Sequence, residues 1–387
     1  MRLFSANNLD LQVARSDARA ALGAARQAGA FPNPIIGGTH EDLSGGAGDA
    51  SESYLTLSQR LEWPGTRGAR ARAALEQADA ARARLAADSA RLAFQVKEVY
   101  VRAAEAARAE AVLSQVTEVF REGARNAAAR FADGDLSLYD RRRIEVEWAR
   151  YETRLAEAAL EAAAARRELA LLVLPEGESR EVAPSEDLAG RPPSMTLEEA
   201  TATALERRRE LEAARAASRA AEAEFALARN QRLPDVTATG GYKHQSDGRD
   251  GVFLGLSVPL PVWDRNGGAV LASQARQAAA ASRTALVQRQ VRNDVERAVE
   301  TYRSLVRRAD MLSVGVPGGA QDLLEIARVG YAEGDMELLQ LLDAARAHLD
   351  ARLAEGRLQA DLWTSYYDLE RAVGGFGDAE SNGENDR

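Results

Sequence analysis

Most of the chain repeats apolar residues at helical spacing. One stripe steps by four and three residues, as in a coiled-coil seam: Val291, Val295, Ala298, Tyr302, Leu305, Ala309 and Leu312. An earlier stripe has the same spacing: Leu92, Val96, Val99, Ala103 and Ala106. A helix over residues 64–132 would be about 100 Å long at 1.5 Å per residue. The pattern therefore predicts very long helices that pack along their length against neighbours.

Four short segments alternate apolar and small or polar residues, as strands with one apolar face do. They cover residues 34–43, 53–63, 234–244 and 251–262 approximately. The last is the clearest, with apolar residues at every second position: Val252, Leu254, Leu256, Val258, Leu260 and Val262. The first alternates poorly and is inferred from its repeat partner. Polar, Gly-rich loops at 44–52 and 245–250 predict a hairpin in each pair.

The chain is an internal duplication. The segment Phe131–Asp135 returns as Tyr331–Asp335, an offset of 200 residues. Each half is predicted as a helix, two strands, a very long helix, a tight turn near 131–138 or 331–337, and a returning helix. The predicted boundaries are a first repeat at 1–174, a linker at 175–195, a second repeat at 196–375 and a disordered tail at 376–387.

Four strands cannot close a membrane barrel, because such barrels begin at about eight strands. No run of apolar residues is long enough for a membrane helix. Sharing the strands between two or three copies would supply eight or twelve, and the predicted object is a conduit with long helices beneath it. The fold class is mainly α with a small β part.

Composition narrows the function further. The 387 residues include no cysteine, and the net charge of −9 argues against nucleic acid as a partner. No catalytic constellation or cofactor motif is present. His40, His244 and His348 lack the spacing of metal ligands, so no metal site is predicted.

The sequence resembles the TolC-like outer-membrane efflux proteins from about Phe4 to Gly375. The resemblance rests on the duplicated layout, the turn motif Tyr331–Asp335 with Leu338–Ala344 after it, and Pro317 before that segment. Residues 257–267 look like the strand-to-helix junction of the CzcC-like heavy-metal efflux branch. Residues 57–67 are similar to that branch's first junction, with Thr66 where a Lys is usual.

The resemblance implies a homotrimer in the bacterial outer membrane, with a twelve-stranded β-barrel on an α-helical barrel that extends into the periplasm. The tips at Gly134, Asp135, Gly334 and Asp335 would meet a periplasmic adaptor (membrane-fusion) protein and form the gate. An inner-membrane transporter of the RND type would complete the tripartite pump. Outer-membrane lipid would contact Leu254, Leu256 and Val258.

The predicted function is therefore the channel component of an efflux pump, with heavy-metal cations as the candidate substrate. The alternative is a soluble coiled-coil scaffold or a periplasmic adaptor protein. Six acidic residues lie at or beside the tips: Asp133, Asp135, Asp140, Glu333, Asp335 and Glu337. They are either solvated turn residues or acidic rings that favour cations.

Two smaller features also leave alternatives open. Trp63 and Trp263 suit either a membrane interface or ordinary packing. Arg141–Arg143 form either a solvated helix face or an adaptor contact. Because Met1–Ser5 lack the apolar region of an export signal, and the partner of 196–201 would precede the chain, we expect that Met1 is not the native start.

Overall fold

The computed structural model describes residues 2–43, 50–175, 178, 196–312 and 316–375. The helices are α1 (Arg2–Asn7), α2 (Leu9–Ala28), α3 (Thr66–Asp133), α4 (Leu138–Val173), α5 (Leu197–Arg207), α6 (Arg209–Asn230), α7 (Gly267–Leu312), α8 (Val316–Glu333) and α9 (Leu338–Val373). The strands are β1 (Ile35–Leu43), β2 (Ala50–Leu61), β3 (Val236–Gln245) and β4 (Asp250–Ser257). In these ranges no helix is both apolar enough and long enough to cross a membrane. The predicted tail at 376–387, most of the linker and the first hairpin loop fall outside the described residues.

The four strands form one antiparallel sheet in the order β1-β2-β3-β4. Each repeat contributes a hairpin, and β2 pairs with β3 to join the two repeats, with Leu55 opposite Tyr242. The prediction that the fourth strand reaches residue 262 was wrong, because β4 ends at Ser257. Pro259 and Pro261 follow, and a proline has no N–H to donate to a strand ladder.

The chain divides into two compact units. The sheet unit comprises residues 13–87 and 209–289, and it contains all four strands. The helical unit comprises 1–12, 88–208 and 290–387. Its main core is formed by α3, α4, α8 and α9, with Phe120 stacked on Tyr151 at 4.5 Å between ring centroids. Helices α3 and α7 contribute residues to both units.

The heptad stripes are largely buried, as their spacing predicts. Val291, Val295 and Ala298 are almost fully buried in α7, and Leu92 and Val99 are buried in α3. The first stripe ends with α7 at Leu312, and α8 begins at Val316, so Pro317 lies in the first turn of α8. A proline is tolerated there because the first N–H groups of a helix have no intrahelical acceptor.

Candidate functional site

One face of the sheet is apolar. The register places Leu55, Tyr242 and Val252 in one row, and Leu57, Gly240 and Leu254 in the next. Because side chains alternate between faces along a strand, these two rows share a face with Leu256. Leu254 is 92% exposed and Leu256 is 76% exposed in the single chain. A sheet face of this kind needs an apolar environment beyond its own chain.

Leu254 and Leu256 therefore lie on the face where the sequence placed them. Val258 lies beyond the end of β4, so its predicted place in the strand alternation was wrong. It is still 48% exposed and continues the apolar surface. Contact of these three residues with lipid remains a prediction.

The opposite face of the sheet is polar. Near one end of this face Glu52 binds three partners: Lys243 Nζ lies 2.8 Å from Glu52 Oε2, and Tyr54 and Gln245 both donate hydrogen bonds to the same carboxylate. The ring of Phe253 lies against Gly241, where a Cβ would overlap it. Sequence reasoning missed this cluster, although the Gly240–Gly241 pair inside a strand was a signal of close approach.

The two helix turns have the same backbone design. Gly134 has φ 82° and Gly334 has φ 87°, in the left-handed region that glycine adopts without strain. The N–H of Gly134 bonds to Phe131 O, and the N–H of Asp135 bonds to Arg130 O at 2.8 Å. The second repeat makes the same pair of bonds from Gly334 and Asp335, to Tyr331 O and Gly330 O. This is the Schellman arrangement, and it satisfies carbonyls that the helix end leaves unpaired.

The acidic side chains at the turns differ in their surroundings. Ser137 caps α4: its Oγ accepts from Asp140 N at 3.0 Å and donates to the Asp140 carboxylate at 2.6 Å. Asp135 and Asp335 are exposed, and within the described residues neither forms an ion pair. Their charge is therefore available to solvent and to passing ions.

A contact between the two turns was not predicted. Arg130, at the end of α3, donates to the carbonyl of Tyr331 at the end of α8, at 3.5 Å. Tyr331 is buried, and burial raises the pKa of its phenol. The duplication does not predict this contact, because the residue equivalent to Arg130 in the second repeat is Gly330, which has no side chain to make it.

The remaining sequence features are the arginine run of α4, the possible metal ligands and the two tryptophans. Arg141 and Arg142 pair with Glu145 on the same helix, at 3.0 and 2.8 Å. Within the described residues no cluster of three or more potential ligands has metal-binding geometry. The exposed fractions are 41% for Trp63 and 95% for Trp263.

A sheet with one apolar face, built from two hairpins of a duplicated chain and continued by long coiled helices, is the architecture of an efflux-channel protomer. Residues 201–375 match the family described as "Outer membrane efflux protein". This confirms the resemblance stated from the sequence.

Three further similarities cover nearly the whole chain. The chain is 27% identical to the cobalt-zinc-cadmium resistance protein CzcC of Cupriavidus metallidurans, over 97% of this chain and 88% of the relative. The outer membrane protein VceC of Vibrio cholerae has a TM-score of 0.76 at 21% identity, over 97% of this chain and 95% of that one. The outer membrane channel CmeC of Campylobacter jejuni has a TM-score of 0.81 at 17% identity, over 98% and 85%.

The predicted fold, the outer-membrane location and the efflux-channel function are therefore confirmed. The sequence left a soluble scaffold open as the alternative. The comparisons point to a different class of protein.

Proposed function

We propose that the chain assembles as a homotrimer and forms the outer-membrane channel of a tripartite pump that exports heavy-metal cations. The observation that carries the substrate class is the likeness to CzcC, a protein named for cobalt, zinc and cadmium resistance, over nearly the full length. The chain's own junction segments, residues 57–67 and 257–267, support the same branch.

The sheet supports assembly from several copies. In the described chain β1 pairs only with β2, and β4 pairs only with β3, so each has one edge without a strand partner. An unpaired strand edge is unfavourable in lipid, where water cannot satisfy its N–H and C=O groups. Pairing β4 of one copy with β1 of the next removes every edge, and three copies give the twelve strands of the proposed barrel.

The turns support the two remaining parts of the proposal. Gly134 and Gly334 end the long helices in short, well-defined loops that suit docking to an adaptor protein, and an RND-type transporter would supply the energy. Asp135 and Asp335 are exposed carboxylates on those loops. Repeated around a threefold axis, they would give acidic rings that favour cations over anions.

A deletion strain tests the proposal. Loss of the chain should lower tolerance to cobalt, zinc or cadmium, and the wild-type chain should restore it. Tolerance to an uncharged hydrophobic antibiotic serves as the control for general envelope damage. Sensitivity to the antibiotic without any change in metal tolerance would contradict the cation substrate. Cross-linking in detergent should give a trimer, and a monomer as the largest species would contradict the assembly.

A further inference from the structure

A basic groove lies where the sheet joins the helices of the sheet unit. Its volume is about 610 Å³, and its walls are the end of β2, the segment 231–235 before β3 and the segment 259–266 before α7. Four arginines line it, at positions 60, 70, 232 and 265, together with the acids Glu62, Asp235 and Asp264.

Two of the four arginines are neutralised within the groove. Arg60 Nε donates to Asp235 Oδ2 at 2.8 Å, and Arg70 Nη2 donates to Glu62 Oε2 at 3.1 Å. Arg70 also donates to the carbonyl of Ala28 at 2.7 Å. These contacts hold the base of the groove in place and leave its charge balanced there.

The other two arginines face one remaining carboxylate, Asp264, so the groove lining keeps a formal charge of +1, from four arginines and three acids. In the described residues, neither Arg232 nor Arg265 forms an ion pair. Arg265 Nε donates only to the carbonyl of Pro261, at 3.3 Å, and both residues are exposed. The nearby carboxylate of Asp264 accepts from the backbone N–H of Asn266 at 2.8 Å. Two guanidinium groups with free N–H donors suit a phosphate group, which they can bind in a bidentate manner.

Apolar side chains surround the same groove. Leu260 is 80% exposed, Val262 is 56% exposed and Trp263 is 95% exposed. Leu260 and Trp263 line the groove itself, and Val262 lies between them in the segment that follows β4. A tryptophan beside basic residues at the edge of an apolar surface is typical of a membrane interface, where the ring and the cation meet the headgroups.

We propose that this groove binds the headgroup of an anionic phospholipid. Arg232 and Arg265 hold the phosphate, and Leu260, Val262 and Trp263 contact the glycerol and upper acyl region. The proposal rests on the membrane-embedded sheet of the proposed function. A lipid accounts for both features of the site, because free phosphate would leave the apolar rim in water.

Native mass spectrometry of the detergent-purified protein tests the proposal with phosphatidylglycerol and phosphatidylethanolamine as probes. The wild-type protein should retain phosphatidylglycerol in preference to phosphatidylethanolamine. Arg232→Gln/Arg265→Gln should weaken phosphatidylglycerol binding by roughly tenfold or more, given the usual contribution of basic residues at an anionic surface. Arg276→Gln/Arg283→Gln is the matched control, since it removes two exposed charges from α7 in the same unit, and its binding should be unchanged.

Three results would overturn the assignment. Equal phosphatidylglycerol retention by Arg232→Gln/Arg265→Gln and wild type would exclude these arginines. Displacement of the lipid by equimolar inorganic phosphate would indicate an anion site without lipid specificity. Loss of the oligomer in Arg232→Gln/Arg265→Gln, with lipid binding unchanged per chain, would make the groove a seam between copies. Lipid binding by a protein that confers no metal tolerance would contradict the proposed substrate and leave the lipid site intact.

Discussion

Asn8 and Arg208 occupy the same position in the two repeats, and each donates to a backbone carbonyl in the last turn of its repeat's returning helix. Asn8 Nδ2 bonds to Leu172 O and Arg208 Nη1 bonds to Ala372 O, both at 3.3 Å. Both residues are buried, and both stand where the first helix of the repeat is interrupted. Because the last carbonyls of a helix lack intrahelical partners, a side chain from the interruption satisfies one of them. The duplication has kept the role while the residue changed.

Replacing Arg208 should destabilise the helical unit. Arg208 also donates to Asp294 Oδ2 at 3.2 Å, so Arg208→Met removes a half-buried charge-assisted bond and leaves the Ala372 carbonyl without this donor. We expect a loss of about 2 kcal/mol, seen as a lower thermal midpoint in detergent. Arg209→Met is the matched control, because Arg209 is exposed and pairs with Glu212 one turn away. Equal shifts in the two variants would contradict a special role for Arg208.

Much of the fold could be predicted because duplication and periodicity reinforce each other. The weakly alternating first strand was found through its partner near residue 236, and the structure shows it as Ile35–Leu43. The interruptions at Asn8 and Arg208 were not predicted, since neither residue is a proline or glycine and the apolar spacing continues across both. The early end of β4 was not predicted, because the apolar residues continue to alternate past Ser257. Pro259 and Pro261, which cannot donate to a strand ladder, were given too little weight.

Some features of the candidate sites could be predicted from the sequence and others could not. The turn glycines were predictable, because a left-handed residue at a helix end has a strong preference for glycine. The Glu52–Lys243 pair and the Arg130–Tyr331 contact were not, because each joins residues about 200 positions apart. Their proximity depends on the pairing of the two repeats, which short-range patterns do not report.

The apolar face of the sheet predicts a sharp difference between neighbouring positions of β4. Leu256→Arg should cost about 2–4 kcal/mol near the bilayer midplane and reduce insertion, because it places a charge among lipid-facing residues. Ser257→Arg, one position along on the polar face, should insert at close to the wild-type level. Heat-stable trimer in purified outer membranes measures both. Equal trimer yields of the two variants would contradict the assignment of the apolar face, and not the polar face, to lipid contact.

His348 should make stability depend on pH. Its side chain is buried in α9, and burial, aided by the nearby Arg352, lowers the pKa of the imidazole. The unfolded chain takes up a proton near pH 6.5, whereas the folded protein does so only at lower pH. This contribution to stability is therefore complete above that value and falls as the pH decreases, by at most about 1.4 kcal/mol per pH unit. The thermal midpoint should be lower at about pH 5.5 than at about pH 7.5. The decrease should be smaller in His348→Gln than in the wild type.

The turn glycines predict a loss of transport without a loss of assembly. Gly134→Val or Gly334→Val forces a β-branched residue into a left-handed conformation, at a strain of about 1–2 kcal/mol. The distorted turn should impair docking to the adaptor, so metal tolerance should fall while the trimer persists. Gly319→Val is a suitable control, since that glycine lies in α8 with helical backbone and open space around it. A variant turn with full tolerance would contradict docking at the tips.

The exposed acids of the same turns make a separate electrical prediction. If Asp135 and Asp335 form rings at the channel entrance, Asp135→Asn/Asp335→Asn should reduce the preference for cations in single-channel recordings. The effect should be large at about 0.01 M salt, where the screening length is about 30 Å, and small at about 1 M, where it is about 3 Å. Asp10→Asn/Asp17→Asn removes the same charge from exposed positions on α2 and should leave the selectivity unchanged. If the tip variant and this control keep the same ion preference at low salt, the tip acids are turn residues only. The cation substrate would then rest on the likeness to CzcC and on the junction segments at 57–67 and 257–267.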